Sequence, residues 1–190
     1  KKNYMKIIKK KAYVPLAVDF LHEGHINILK TANKYGEVIV GLLSDEAIAN
    51  YKTIPILKYK SRELLVKNLK YVSKVVPQKS DDYTFNLNKI RPDFFVHGDD
   101  WKYDNRKKTR NKVIKTLKKW SGKLIEPKYT KNISSSKIKS KIFKIATLPQ
   151  NRVSRLKRLM SSKQIVRILE SHNSLTGLIV ENLKVQKNDN

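Results

Sequence analysis

The sequence contains no cysteine. That excludes a disulfide framework and a thiolate zinc site, and it fits a reducing compartment. No uninterrupted apolar run approaches the length needed to cross a bilayer. Lys1 to Lys11 lacks the apolar core and small-residue cleavage site of a signal peptide. No internal repeat is visible. A soluble, cytoplasmic protein with no membrane partner is expected. Acidic residues are also scarce, 16 Asp and Glu against 42 Lys and Arg, for a formal net charge of +26. Lys far outnumbers Arg and is spread along the whole chain, without the Arg and aromatic clustering that reads bases or stacks on single strands. No specific nucleic-acid partner is therefore expected. The charge does favour small polyanions and salt-sensitive, non-specific nucleic-acid binding.

What is present is enough hydrophobic residue, 39% of 190 residues, for one packed domain plus something smaller. The centre of the chain's organisation is Asp19-Phe20-Leu21-His22-Glu23-Gly24-His25, between the apolar run Ala12 to Val18 and the periodic segment Ile26 to Tyr35. It reads as strand, tight turn, helix. Two imidazoles at a helix mouth, with Gly24 letting the backbone approach a ligand, make a seat for phosphate, because unpaired N–H groups and the positive dipole end gather there. A helical zinc pair would use a spacing of four beside a glutamate, so no metal ligation by His22 or His25 is expected.

Further along, Glu37 to Leu43 reads as a second strand, apolar nearly throughout, as in a sheet covered on both faces. Ser44 caps a helix with Asp45 and Glu46 in its first turn. A loop over Asn50 to Lys60 precedes a helix capped by Ser61, with Leu64, Leu65 and Leu69 inward. Val72 to Val76 is a third strand ended by Pro77, and Asp81 to Ile90 a short helix. Asp93 to His97 is a fourth strand running into Gly98-Asp99-Asp100-Trp101. A helix marked by Val113, Ile114, Leu117 and Trp120 stops at Gly122, and Lys123 to Glu126 is a fifth strand. Ile133-Ser134-Ser135-Ser136 then leads into a helix. Alternation of this kind predicts an α/β fold, a Rossmann-like parallel five-stranded sheet with helices on both faces, plus a C-terminal helical extension. Ligands in such sheets bind past the carboxyl ends of the strands, where the His-bearing turn, the Gly98 to Trp101 loop and the serine run should all meet.

His22-Glu23-Gly24-His25 combined with the late Ile133-Ser134-Ser135-Ser136 resembles the signatures of the nucleotidyltransferase superfamily. Within it, Gly98-Asp99-Asp100-Trp101 and Tyr59-Lys60-Ser61-Arg62 are similar to the cytidylyltransferases, over roughly Lys11 to Ile142. Val40 to Lys52 and Val96 to Lys102 look like the cytidylyltransferase domain fused to phosphoenolpyruvate phosphomutase in phosphonate-making bacteria. Arg155 to Met160, Ile168 to Asn173 and Ile179-Val180-Glu181 are similar to the opening of the mutase barrel. Two segments are expected, 1–146 as the nucleotide-binding domain and 147–190 as linker and incomplete barrel start. The barrel's later strands and acidic magnesium ligands do not follow before Asn190, so no mutase activity is expected.

The resemblance implies CMP transfer from CTP to a small phosphonate such as 2-aminoethylphosphonate, with release of pyrophosphate. Alternatives are a phosphate monoester as acceptor (phosphocholine, phosphoethanolamine or glycerol 3-phosphate), an adenylyltransferase, or a non-catalytic basic module binding nucleic acid or a partner. By resemblance, His22, His25 and Lys52 are the catalytic residues, and Gly24, Asp99, Ser134, Ser135 and Ser136 bind the nucleotide. Asp19, Arg62, Asp100 and Trp101 bind the acceptor. Magnesium is the expected cofactor, arriving on the phosphates with few protein ligands, and relatives suggest a homodimer. His97 and His172 read as structural. The chain departs from the family at Pro15, where glycine is usual, at Asn132 before Ile-Ser, and at Tyr129, where glycerol-phosphate relatives carry arginine.

Overall fold

A computed structural model describes residues 9–50, 52–102, 106–130, 133–135, 137–138, 149–162 and 170–182. In chain order the elements are β1 (Lys11–Leu16), α1 (Glu23–Asn33), β2 (Glu37–Leu43), α2 (Asp45–Ala49), α3 (Tyr59–Lys67), β3 (Lys74–Gln78), α4 (Thr84–Ile90), β4 (Phe94–Val96), a 3-10 turn (Asp99–Lys102), α5 (Lys107–Leu117), a second 3-10 turn (Lys118–Trp120) and β5 (Lys123–Ile125). Two further helices follow, α6 (Pro149–Ser162) and α7 (Ser174–Asn182). The strands form one sheet in the order β3-β2-β1-β4-β5, every pairing parallel. The α/β expectation is met.

The sheet is covered on both faces. Ala12, Val14 and Leu16 pack with Leu29, Ala32, Val38, Val40 and Val66 on one side, and Tyr13 with Leu87, Phe95, Trp101, Val113 and Leu117 on the other. Successive residues of β1 alternate between the two layers, as strand pleating requires. A polar cluster sits inside the second layer. The Tyr13 hydroxyl donates to Gln78 Oε1 at 2.6 Å, and Asn86 Nδ2 donates to both of them. Burial pushes the Tyr13 phenol up, against the smaller pull of Asn86. The ring has room because residue 41 is glycine; a Cβ there would overlap the Tyr13 hydroxyl.

Strand order reverses between β1 and β4. Their pairing is confined to Ala12 with Phe94 and Tyr13 with Phe95, while β1 stays paired to β2 as far as Leu16. Past Tyr13 the two central strands part and a crevice opens, where ligands bind in such sheets. Pro15 lies in that unpaired stretch, so the β4 side of the strand loses nothing by its missing N–H.

Several boundaries differ from expectation. β1 ends at Leu16 because Val18 takes φ 49°, a left-handed conformation that a β-branched residue holds only under strain of about 1–3 kcal/mol. Core packing around Val18, fully buried, sustains it. α3 starts at Tyr59 with Lys58 as its uncapped N-cap, so Ser61 lies inside the helix. Leu64 and Leu65 face solvent at 65% and 46% exposure; the inward stripe is Arg62, Val66 and Leu69. β3 runs through Pro77, which an edge strand tolerates. Among the described residues no helix is long and apolar enough to cross a membrane.

Gly41→Ala is expected to lower stability by about 2–3 kcal/mol through overpacking and loss of the Tyr13 hydrogen bonds. Urea denaturation measures it, and an unchanged midpoint would contradict this packing.

Candidate active site

A cavity of about 270 Å³ opens in the crevice, walled by the β1–α1 turn, the segment after α2, and the loops that follow β4 and β5. His22 is the N-cap of α1, in extended conformation at φ −148°, and its Nδ1 accepts from Gly24 N–H at 3.2 Å. Three residues on, His25 Nδ1 accepts from the His22 N–H at 3.4 Å. This is a reciprocal capping box built from two imidazoles instead of a hydroxyl and a carboxylate. The rings lie 3.9 Å apart, and a Cβ on Gly24 would come within 3.0 Å of the His22 ring.

The box fixes the chemistry of both rings. A nitrogen that accepts a hydrogen bond carries no proton, so each neutral ring must hold its proton on Nε2. Burial lowers both pKa values. His25 falls to about 3, with the neighbouring His22 and Lys52 adding to the effect. At neutral pH the helix mouth therefore presents two uncharged Nε2–H donors, both from cavity-lining residues, at the positive end of the helix dipole.

Lys52 adds positive charge to the same cavity. It lines the cavity, and its charge bears on His22, His25 and His97 alike. Ser134 and Ser135 line the cavity as well. Ser134 Oγ accepts from Lys137 N–H as a helix cap does, and Ser135 Oγ donates to Phe20 O at 3.0 Å, tying this turn to the His-bearing one. Ser136 lies outside the described residues.

The far wall comes from the loops after β4 and β5. Asp100 and Arg106 both line the cavity and pair at 2.6 Å. His97, expected to be purely structural, also lines it. Its Nδ1 donates to Gly98 O at 2.8 Å, which leaves Nε2 as the acceptor of the neutral ring, and burial lowers its pKa to about 4. Behind it Trp101 stacks at 4.0 Å and donates to Glu126 Oε1 at 2.7 Å. The two-pronged Arg110 bond holds Glu126 at about 2, with Trp101 and Lys102 helping.

The structure thus gathers His22, Gly24, His25, Lys52, Asp19, Asp100, Ser134 and Ser135 around one space. Arg62, Trp101 and Asp99 are placed otherwise. Arg62 is fully buried, donating to Ala17 O, Leu43 O and Leu57 O and pairing with Asp45 at 2.6 Å. It fastens three loops together and does not reach the cavity. Trp101 is fully buried beneath the floor. Asp99 accepts from Tyr129 N–H, and its own N–H donates to Pro127 O, shaping the loop after β5. Asp19 accepts from Ile56 N–H at 2.7 Å and Leu57 N–H at 3.1 Å. Arg106, Thr130 and Asn27 line the cavity without having been singled out. Asn27 bonds Thr130 at 3.3 Å, closing the rim from α1 to the loop after β5.

Residues 18–141 match the protein family described as cytidylyltransferase-like. The FAD synthase of Aciduliprofundum boonei is 35% identical over 89 residues, 46% of this chain and 60% of that protein. The probable ethanolamine-phosphate cytidylyltransferase of Schizosaccharomyces pombe is 36% identical over 97 residues, 49% of this chain and 26% of the yeast protein. The chain thus matches less than two thirds of the length of these curated relatives. Among solved structures, the lipopolysaccharide core biosynthesis protein of Thermoplasma volcanium superposes with a TM-score of 0.55 at 25% identity, covering 64% of this chain and 98% of that one.

A histidine whose pKa is lower folded than unfolded stabilises fully above its unfolded value of 6.5 and progressively less as pH falls toward the folded value of about 3. His25→Gln keeps a side chain able to cap at the third helical position but removes the titration. Its acid destabilisation between pH 6 and pH 4 should be shallower than that of the wild type by about 1 kcal/mol per pH unit, read by urea denaturation at each pH. Equal slopes would show that His25 is charged in the folded protein.

Proposed function

The chain belongs to the cytidylyltransferase-like family, and on that premise we propose that it transfers CMP from CTP to a small phosphonate, 2-aminoethylphosphonate being the type, with release of pyrophosphate. The observation that carries this reading is the pair of Nε2–H imidazoles at the α1 mouth, bordering one cavity together with Lys52. A phosphonate oxygen attacks the α-phosphorus in line, the bond from that phosphorus to the bridging oxygen breaks, and pyrophosphate leaves with the electron pair. No covalent intermediate with the protein is required. The protein's part is to position and to stabilise charge on the phosphoryl oxygens, where fixed donors act most strongly.

His22 and His25 donate from Nε2 to the triphosphate. Their Nδ1 lone pairs stay engaged in the capping box, which leaves only Nε2–H to meet the nucleotide. Lys52 neutralises charge as it moves toward the leaving group, and Ser134 and Ser135 with their turn receive the β and γ phosphates. On the opposite wall Arg106 draws the acceptor's phosphonate and Asp100 faces its ammonium group. Among the described residues no three His, Asp or Glu side chains come together as a metal site. The cavity's two carboxylates are engaged, Asp19 with the Ile56 and Leu57 N–H groups and Asp100 with Arg106. The described residues thus offer magnesium no cage of their own, and the ion would travel on the phosphates of the nucleotide.

The choice of a phosphonate rests on the likeness of Val40 to Lys52 and of the C-terminal segments to phosphonate-pathway proteins. A phosphate monoester is the second reading, supported by the ethanolamine-phosphate cytidylyltransferases of fission yeast and of Mus musculus, the latter 39% identical over 84 residues. The FAD synthases among the relatives keep ATP in the comparison.

Pyrophosphate release from CTP and from ATP, across 2-aminoethylphosphonate, phosphoethanolamine, phosphocholine and glycerol 3-phosphate, decides among these. CTP with 2-aminoethylphosphonate should be fastest, and His25→Ala should slow it about 100-fold, the usual effect of removing one fixed donor. Silence of the folded protein across the whole panel would overturn the reading.

A further inference from the structure

Lys52 follows α2 on a stretch of chain whose two ends are held by contacts partly outside the cavity. Its N–H donates to Ile48 O at 2.9 Å at the end of α2, and the chain then returns through 53–57 to α3. This excursion leaves the sheet at Asp45 and comes back at Ile56 and Leu57. From the core side, Arg62 joins its two ends, pairing with Asp45 Oδ1 and donating to Leu57 O. From the outer side a second guanidinium does the same. Arg158, on α6, donates through Nη1 to Ile56 O at 2.6 Å and places Nη2 3.5 Å from Asp45 Oδ2. The Ile56 peptide is thereby held at both polar groups, its N–H by Asp19 and its carbonyl by Arg158. The Asp45 carboxylate is shared between the two arginines.

The Nη1 contact with Ile56 O is a charge-assisted hydrogen bond, stronger than one between neutral groups, whereas Nη2 makes no hydrogen bond and attracts Asp45 as an ion pair only. The Arg158 and Asp45 side chains are 27% and 19% exposed, which spares the pair much of the screening that weakens fully exposed ion pairs. A lysine on a long stem contributes to charge stabilisation only as far as its base is fixed beforehand, since ordering it during the reaction costs entropy.

We propose that Arg158 is a positioning residue. By bridging Asp45 and Ile56 it sets the path of the 45–57 excursion and so the place of the Lys52 ammonium, which makes α6 a working part of the nucleotide site. The consequence for catalysis rests on the reading that Lys52 meets a nucleotide phosphate; the clamp on the loop does not depend on it.

Two measurements on the full chain test this, comparing wild type with Arg158→Ala and Arg158→Lys. The first is hydrogen exchange. Amides of Ile56 and Leu57 should exchange faster in Arg158→Ala while those of β1 and β2 keep their protection, with Arg158→Lys intermediate because an ammonium can serve one partner but not both. Unchanged exchange at Ile56 and Leu57 overturns the proposal whatever the nucleotide does. The second is calorimetric titration with CTP and magnesium. Arg158→Ala should weaken binding about tenfold, and the same substitution in a Lys52→Ala background should have little further effect, because groups acting as one unit are non-additive. Equal losses in both backgrounds mean that Arg158 acts as general support and overturn its link to Lys52. Should Arg158→Ala fail to fold, Arg158→Lys carries both measurements. Absence of CTP binding by the wild type counts against the proposed function alone, and the exchange result still decides the clamp.

Discussion

The helix mouth at His22 depends on one local exchange of hydrogen bonds. His22 turns its Nδ1 to the Gly24 N–H while His25 turns its own to the His22 N–H. A helix start has N–H groups to satisfy whatever its function, and a Ser and Glu pair would satisfy these two. Imidazoles do so with one nitrogen and keep the other, protonated, for a ligand. The stabilising contact and the functional donor are thus two atoms of one ring. Burial and the nearby lysine depress the pKa in the same direction as the cap requires, since a protonated Nδ1 can no longer accept.

Around that point the fold supplies convergence. β1 and β4 separate after one short stretch of pairing, and the loops leaving that edge are tied to one another by polar contacts. Ser135 reaches back to Phe20, Asp99 to the Tyr129 N–H, Asp19 to Ile56 and Leu57, and Arg62 to the ends of β1 and β2. Sheet pairing places the strand ends; these ties place the side chains. The 3-10 turn with Trp101 is held in the same way, through Glu126 and its arginine partner.

The order of strands and helices was legible because the strands are short apolar runs bounded by polar turns. The His-bearing turn was legible as strand, turn and helix from its place between an apolar run and a periodic segment, while the meaning of its two histidines came only from their combination with the late serine run. Side-chain destination was less so. A guanidinium at a helix start pairs equally well with a ligand's oxygens or with backbone carbonyls, and only the burial of Arg62 distinguishes the two. Leu64 and Leu65 misled because periodicity fixes a stripe only once its phase is known, and Arg62 set the phase of α3. Arg106, His97 and Thr130 lie in loops that carry no hydrophobic period, so their approach to the cavity follows from tertiary contacts that no local pattern encodes.

The most direct test is a crystal structure of the protein with magnesium and a non-hydrolysable CTP analogue. The account requires the triphosphate to lie across the mouth of α1, with the Nε2 atoms of His22 and His25 within hydrogen-bond distance of its oxygens and the Lys52 ammonium on the other side. A nucleotide bound elsewhere, or bound in the crevice with those two nitrogens turned away from phosphate, would contradict it.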